Sequence, residues 1–300
     1  MADSQRRERL DVLAIGLLLT CCTLWGVTQV AAKVARADVP PLTQAALRSA
    51  GAALLVLAWA RGRGMAMFER DGTAAGGLLA GALFAAEFAC IFIGLQFTSA
   101  SRMVVFIYLS PFVVALGMPL IARGERLGAR QWAGLATAFA GVAWAFAEGF
   151  TAAAPAASMQ WLGDLLGLAA ALFWAATTLA IRATRLASAP AEKTLLYQLA
   201  VSAVLLGVGA VLAGEAWPMR WSALTLASLG FQTVVVTFAS YLAWFWLVRH
   251  YPATRVAAFT LLTPVAGLAA GVLLLGEPLT ARLLAALAAV VLGLALVNRR

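Results

Sequence analysis

Ten long apolar stretches, separated by short polar segments, dominate this chain of 300 residues. A helix needs about 20 apolar residues to cross the hydrocarbon core of a membrane, and a soluble fold cannot hide many segments of that length. The composition agrees, because 63% of the residues are hydrophobic and only 12% are charged. We therefore predict an all-α polytopic membrane protein with ten transmembrane helices, at about 10–32, 41–59, 76–98, 103–122, 131–147, 161–181, 195–213, 224–248, 256–275 and 283–297.

The basic residues predict the orientation of these helices. With the N-terminus inside, most of the 22 Lys and Arg residues fall on inner loops. The exceptions are Lys33, Arg36, Arg102, Arg220 and Arg282 on the outer side and Arg48 within a span. Positive charge collects on cytoplasmic loops, so we predict that both termini are cytoplasmic. The formal net charge of +9 then needs no nucleic-acid partner, and a multi-pass protein of the cell membrane, of the bacterial inner-membrane type, is expected.

The motifs of common enzymes are missing from the sequence. The chain has one histidine, no glycine-rich phosphate loop and no cluster of acidic residues with metal-ligand spacing. Its three cysteines lie in apolar stretches and are interpreted as buried small hydrophobic residues. We expect no enzymatic activity, no catalytic residues, no metal and no cofactor.

The second half of the chain repeats the first. The matching residues, at offsets of 149 to 153 positions, are Trp25 with Trp174, Lys33 with Arg182, Ser101-Arg102 with Thr254-Arg255, and Ser110-Pro111 with Thr263-Pro264. Each half holds five predicted helices, an odd number, so the halves have opposite orientations in the membrane. We predict two inverted five-helix repeats, 1–150 and 161–300, an architecture typical of secondary transporters.

Several motifs carry a family resemblance. They are Trp25-Gly26 followed by Lys33, Phe97-Thr98-Ser99-Ala100, Pro111, Gly124-Glu125-Arg126-Leu127, Gly134, Gly141, Pro264 and Gly276-Glu277-Pro278-Leu279. In these residues the chain resembles the EamA-type transporters of the drug/metabolite transporter superfamily. The resemblance implies ten helices, five plus five inverted, and alternating access around a central cavity. It does not indicate the substrate, because the superfamily exports amino acids, metabolites, drugs and nucleotide sugars.

One carboxylate lies near the middle of a predicted span. Glu87 is the twelfth of 23 residues in the stretch 76–98, where an ionised side chain is costly. Such a group is a candidate for proton coupling; the alternative is a structural carboxylate that stays paired or protonated. Ser240 occupies the equivalent position of the second half.

Arg48 lies close to the middle of the second span, with Gln44 one turn earlier on the same face. An arginine there can hold a substrate carboxylate, neutralise Glu87 or extend outward to the membrane surface. These alternatives remain open at the level of sequence.

Aromatic and polar residues inside the spans suggest a cavity lining. Tryptophan and tyrosine usually lie at membrane interfaces, but here several lie deep within predicted helices. The predicted substrate-binding residues are Trp25, Gln29, Gln44, Arg48, Tyr108, Trp174, Thr178, Ser240, Tyr241 and Trp244. Each of them taken alone fits a packing role equally well.

Pro111 and Pro264 occupy equivalent positions in helices four and nine and predict kinks there. These kinks are candidates for gates, and static bends are the alternative. Together the features favour a secondary transporter that exports small metabolites, with aromatic or hydrophobic amino acids first. Proton-coupled efflux of cationic drugs or quaternary amines is the alternative, followed by a non-transporting scaffold or a lipid-modifying enzyme. The expected partners are a small-molecule substrate and the lipid bilayer, with the protein a monomer or homodimer.

Overall fold

The computed structural model describes residues 11–121, 128–151, 159–218, 220–251, 256, 259–260 and 262–298. The helices of the first half are α1 (Val12–Ala35), α2 (Pro41–Gly62), α3 (Ala74–Gly94), α4 (Ala100–Ile107), α5 (Ser110–Ile121) and α6 (Ala129–Thr151). Those of the second half are α7 (Gln160–Ala183), α8 (Ala191–Leu212), α9 (Ala223–Gly230), α10 (Tyr241–His250), α11 (Leu262–Leu275) and α12 (Ala281–Asn298). A π-helical segment, Phe231–Ser240, joins α9 to α10.

Within the described ranges, 7 helical stretches are long and apolar enough to cross a membrane, and α11 and α12 are shorter apolar helices. This agrees with a polytopic membrane protein. The number of ten spans and the cytoplasmic position of both termini stay predictions. The motif 124–127, Thr254-Arg255 and most of the segment between the halves lie outside the described residues.

The fourth predicted helix is interrupted. It divides into α4 and α5 around Tyr108 and Leu109, and Pro111 is the second residue of α5. Proline cannot donate a backbone hydrogen bond and is tolerated in the first turn of a helix. The regular helix is therefore interrupted at Tyr108, three residues before the proline.

The eighth predicted helix contains the π segment. Its wider winding is visible in Thr237, whose hydroxyl donates to the carbonyl oxygen of Gln232, five residues earlier, at 2.7 Å. A π segment adds a residue to the turn, so the face presented by Gln232 is not continuous with that of α10. Regular α-helical spacing would place Thr237 on the same face as Tyr241 and Trp244, and the π winding displaces it from that face.

The main helix packing joins the two halves of the chain. α1 packs along α11, α2 along α8, α3 along α7 and α6 along α12. Glycines allow some of these backbones to approach: a Cβ atom on Gly26 of α1 would lie 2.5 Å from the backbone nitrogen of Gly267 of α11. Small residues at such contacts are typical of membrane helices, which gain stability by close packing.

An ion pair was missed by the sequence analysis. Arg102 was placed on an outer loop, but its guanidinium is buried in the first turns of α4 and donates to Asp164 of α7 at 2.6 and 3.1 Å. The hydroxyl of Thr98 donates to the same carboxylate at 2.6 Å. A buried charge requires such partners, and here they come from opposite halves of the chain.

Candidate functional site

Two opposite charges lie buried in the same part of the bundle without forming an ion pair. Arg48 of α2 is 2% exposed and Glu87 of α3 is 6% exposed, and they interact electrostatically. Nε and Nη2 of Arg48 and Oε2 of Glu87 nevertheless have no hydrogen-bond partner in the described part of the chain. Unpaired buried polar atoms cost free energy, so their concentration here marks a place where a ligand or water is expected.

Aromatic rings hold the arginine in this apolar setting. The guanidinium carbon of Arg48 lies 3.7 Å from the ring centre of Phe88 and 5.6 Å from that of Phe92, both on α3. Cation–π attraction stabilises a cation on such a face, yet leaves its N–H groups free to donate hydrogen bonds to another acceptor. The arginine therefore keeps its hydrogen-bonding capacity for another partner.

Neutral polar side chains surround this pair. Gln44, one turn before Arg48, donates to the carbonyl oxygen of Ala32 at 3.1 Å and lies 3.5 Å from Oε1 of Gln232. Oε1 of Gln44, Nε2 of Gln232 and Oγ of Ser49 remain without partners among the described residues. Donors and acceptors are thus both available around the two charges.

An aromatic cluster closes one side of the site. Nε1 of Trp25 donates to Oγ of Ser240 at 2.8 Å. The Trp25 ring lies edge-on to Tyr241 and Trp244, with centroids 6.1 and 5.0 Å apart. Tyr241 also interacts electrostatically with Arg48 and Glu87, which connects the cluster to the charges.

A further pair of aromatic rings lies beside the cluster of Trp25, Tyr241 and Trp244. Tyr108, at the break between α4 and α5, and Trp174 of α7 meet edge to face at 5.6 Å. Tyr108 interacts electrostatically with Tyr241, so this pair borders the same region. The hydroxyl of Thr178 instead donates to the carbonyl oxygen of Trp174, at 3.1 Å.

The other predicted residues are placed as follows. Gln29 is buried on α1, one turn beyond Trp25. Pro111 follows the α4–α5 break, and Pro264 is buried in the first turn of α11. A separate cavity of about 390 Å³ at the end of α2, lined by Leu57, Arg61 and 65–69, includes none of the predicted residues.

Sequence reasoning missed Gln232, Ser49 and Phe88. Gln232 carried a usable signal, because it is a polar residue within an apolar span, like Glu87. Ser49 is too common a residue in membrane helices to stand out. Phe88 carried none, since its role depends on the packing of α2 against α3.

A model of a known protein family matches both halves of the chain. The model of the EamA-like transporter family matches residues 12–147 and again 161–299. The chain belongs to the EamA-like transporter family. It is accordingly a membrane transporter rather than an enzyme, and the apolar helices and bacterial relatives support a multi-pass protein of the bacterial inner membrane.

Curated relatives extend over nearly the whole chain. An uncharacterized transporter of Bacillus subtilis (strain 168) is 29% identical over 95% of this chain and 91% of its own length. A probable amino-acid metabolite efflux pump of Escherichia coli (strain K12) is 28% identical over 88% of this chain and 87% of its own. A protein of known crystal structure shares the fold, with a TM-score of 0.64 at 20% identity, covering 96% of this chain and 99% of that one.

Proposed function

We propose that this EamA-family protein is a secondary transporter that exports amino acids, aromatic or hydrophobic ones first. In this proposal the repeats 1–150 and 161–300 are inverted and alternate the access to a central site, with both termini cytoplasmic. Two observations support the arrangement: the family model matches each half separately, and the helices pack in pairs across the halves. A relative named as a probable amino-acid metabolite efflux pump supports the substrate class.

The observation that carries the proposal is the buried pair of unpaired opposite charges. A purely anionic ligand would satisfy Arg48 and leave Glu87 alone, and a purely cationic ligand would do the reverse. A zwitterion satisfies both: its carboxylate accepts from Nε and Nη2 of Arg48, and its ammonium group donates to Glu87. The free α-amino acid is the metabolite class with this pair of charges.

The aromatic cluster supports the preference for an apolar side chain. Trp25, Tyr241 and Trp244 form a surface next to the charges on which a flat or branched apolar group can pack. Tyr108 and Trp174 form a second aromatic pair that borders the same region. We assign substrate binding to these rings together with Gln44 and Arg48, and a supporting role to Gln29, Thr178 and Ser240.

Glu87 is the proposed site of proton coupling. If the same carboxylate binds either a proton or the substrate ammonium group, the two cannot be bound together, and inward proton movement then drives export. Pro111 and Pro264 are the proposed bends at which helices four and nine change shape during the cycle.

Efflux of cationic drugs or quaternary amines is the second candidate. The aromatic rings together with Glu87 suit a flat organic cation. The unpaired N–H groups of Arg48 make a cationic substrate less favourable, since a second cation beside them is electrostatically repelled.

Uptake of labelled phenylalanine into proteoliposomes tests the proposal, with and without an imposed pH gradient. We expect uptake that depends on the gradient, and exchange of labelled for unlabelled phenylalanine in its absence. Uptake that ignores the gradient would contradict proton coupling. The absence of both activities, with transport of a quaternary amine, would replace the amino-acid assignment with the second candidate.

A further inference from the structure

Carboxylates join the two halves of the chain at both ends of the α2–α8 pair. At the end where α2 begins, Glu215 accepts hydrogen bonds from the backbone N–H groups of Leu42 and Thr43, at 2.9 and 2.7 Å. At the other end, Nζ of Lys193 donates to Asp71 at 2.7 Å. Thr43 and Lys193 are 150 positions apart, within the offsets of the sequence repeat, whereas Asp71 and Glu215 are 144 apart. The two contacts therefore fasten opposite ends of the α2–α8 pair without being exact counterparts.

A hydrogen bond from a hydroxyl group to an aspartate of the other half occurs in two copies. Thr98 donates to Asp164 at 2.6 Å, and Tyr251 donates to Asp11 at 3.0 Å. Both members of the second pair differ by 153 positions from their counterparts, again the repeat offset. Both copies of this contact are present in the same conformation. A contact that had to break when one end of the bundle opens would differ between the two copies, so this one does not identify the end that is open.

Glu277 makes a contact whose counterpart in the repeat, at 124–127 and 254–255, falls outside the described residues. It follows α11, yet its carboxylate caps the N-terminus of α4, accepting from the backbone N–H groups of Ala100 at 2.7 Å and Ser101 at 2.9 Å. The hydroxyl of Ser101 and Nζ of Lys33 donate to it as well, at 2.7 and 3.1 Å. Glu277 precedes α12 along the chain, but the helix that it caps is in the other half.

The elements that Glu277 joins are walls of the candidate site. Lys33 ends α1, which carries Trp25, and α4 leads to Tyr108 at its C-terminal end. Asp38 also bridges the halves, since it accepts hydrogen bonds from Ser222 and Thr225 at the start of α9, the helix that continues into the π segment. Glu277 is 8% exposed, and it lies at the end of the bundle predicted to be the outer one.

We propose that Glu277 is the latch of the gate at this end of the transporter and that its bonds to Lys33 and α4 break whenever the site opens there. The proposal rests on the alternating access proposed above. The carboxylate balances both the ammonium group of Lys33 and the positive end of the α4 dipole, which explains why a single side chain can hold the end closed.

Reversible crosslinking distinguishes a gate from a static contact. In a variant in which Cys21, Cys22 and Cys90 are alanine, Lys33→Cys and Glu277→Cys are joined by a short bifunctional methanethiosulfonate. The matched control joins Thr43→Cys to Glu215→Cys, a static contact of similar chemistry. We expect crosslinking of the first pair to reduce phenylalanine exchange by about tenfold or more relative to the same protein after reduction, and crosslinking of the control to leave exchange unchanged. Equal behaviour of the two pairs would overturn the proposal.

A second measurement does not depend on the substrate. Cys22 is fully buried on α1, close to the carbonyl oxygen of Phe259 at 3.1 Å, and reports access to the interior. In a Cys90→Ala background, we expect Glu277→Gln to speed the labelling of Cys21 and Cys22 by an impermeant maleimide about tenfold, and Glu215→Gln to leave it unchanged. Equal labelling rates would refute the latch. If the uncrosslinked protein moves no phenylalanine, the proposed function fails, while the labelling still decides the role of Glu277.

Discussion

The residues around Arg48 replace the water that would solvate its guanidinium only in part. The face of Phe88 supports the cation, but no described side chain accepts from Nε and Nη2. A site that is already satisfied has no reason to bind a substrate, whereas this one gains hydrogen bonds when a carboxylate arrives. The free energy of binding is therefore concentrated on a few atoms of one residue.

Replacement of Arg48 tests this idea. We expect Arg48→Gln to weaken phenylalanine binding by about tenfold to a hundredfold, the usual effect of losing a charged hydrogen bond. Binding of phenethylamine, which lacks the carboxylate, should instead improve. The decrease in intrinsic tryptophan fluorescence on titration measures both, with Arg36→Gln, an exposed charge, as the control. Equal weakening for the two ligands would indicate a structural role.

Glu87 is expected to separate coupling from binding. Glu87→Gln removes the titratable group but keeps the shape of the side chain. Gradient-driven uptake of phenylalanine should fall to the level measured without a gradient, while exchange between internal and external phenylalanine persists. Proteoliposome assays of both activities check this. Gradient-driven uptake that survives in the variant would assign the proton to another residue.

The Arg102–Asp164 pair illustrates the cost of an unmatched buried charge. Removing one partner, as in Asp164→Leu, should destabilise the protein by about 3–5 kcal/mol, because the buried guanidinium of Arg102 loses its opposite charge and the hydrogen bonds that Asp164 accepts from it. The double variant Arg102→Met with Asp164→Leu should recover much of this loss. Thermal denaturation of purified protein compares them, and a double variant no more stable than the single one would contradict the argument.

At the scale of helices, the sequence predicts existence and type well and internal geometry poorly. The second predicted span lies within α2, and the seventh ends one residue beyond α8, because about twenty mostly apolar residues leave little choice of structure in a membrane. The break at Tyr108 has a local cause in Pro111, so its region was predictable. The π segment was not, since Phe231–Ser240 has an ordinary composition for a membrane helix. The ion pairs depend on which helices meet, and composition does not encode that.

The contact between α1 and α11 depends on a missing side chain. A Cβ atom on Gly26 would meet the backbone of Gly267, which cannot rotate away, whereas nothing lies within 4 Å of Gly16 on the same helix. Gly26→Leu should therefore separate α1 from α11 and lower the thermal denaturation temperature of purified protein, by an amount equivalent to about 1–3 kcal/mol or more. Gly16→Leu is the control and should have little effect. Similar denaturation temperatures for the two variants would show that α1 is free to move aside.

At the scale of the whole molecule, polar groups at the bundle ends differ from those at its centre in how far their hydrogen bonds are satisfied. Arg48, Glu87 and Gln44 at the centre have atoms without partners among the described residues, whereas Glu215 and Glu277 at the ends each accept several hydrogen bonds. Burial raises the pKa of Glu277, but hydrogen bonds from Ser101 and Ala100 and the charge of Lys33 outweigh it, so its pKa lies below the usual value. Glu277 is thus ionised at neutral pH and is not the group that takes up the coupled proton.

The stability that Glu277 supplies should depend on pH with a definite sign. Because its pKa is lower in the folded state, the contribution is fully present above the unfolded pKa of about 4.3 and is lost as the pH falls through the folded value. We expect the difference in denaturation temperature between wild type and Glu277→Gln to be constant near neutral pH and to shrink below about pH 4. A difference that persists in acid would assign the effect to shape and not to charge.

The orientation of the bundle is a separate prediction. The distribution of Lys and Arg places both termini in the cytoplasm. Fluorescent proteins that mature only in the cytoplasm should be bright when fused at either end. A bright N-terminal fusion with a dark C-terminal one would require an odd number of spans.

The paired contacts at the two ends of α2 and α8 also have a practical value. Glu215 with Thr43 at one end, and Asp71 with Lys193 at the other, fix this helix pair along its whole length. Spin labels on α2 and α8 should then give one unchanging separation, an internal ruler for pulsed spectroscopy. If the distance between two other helices lengthens while the α2–α8 distance stays constant, the change reflects the conformational cycle of transport. A general loosening of the protein in detergent would lengthen both distances.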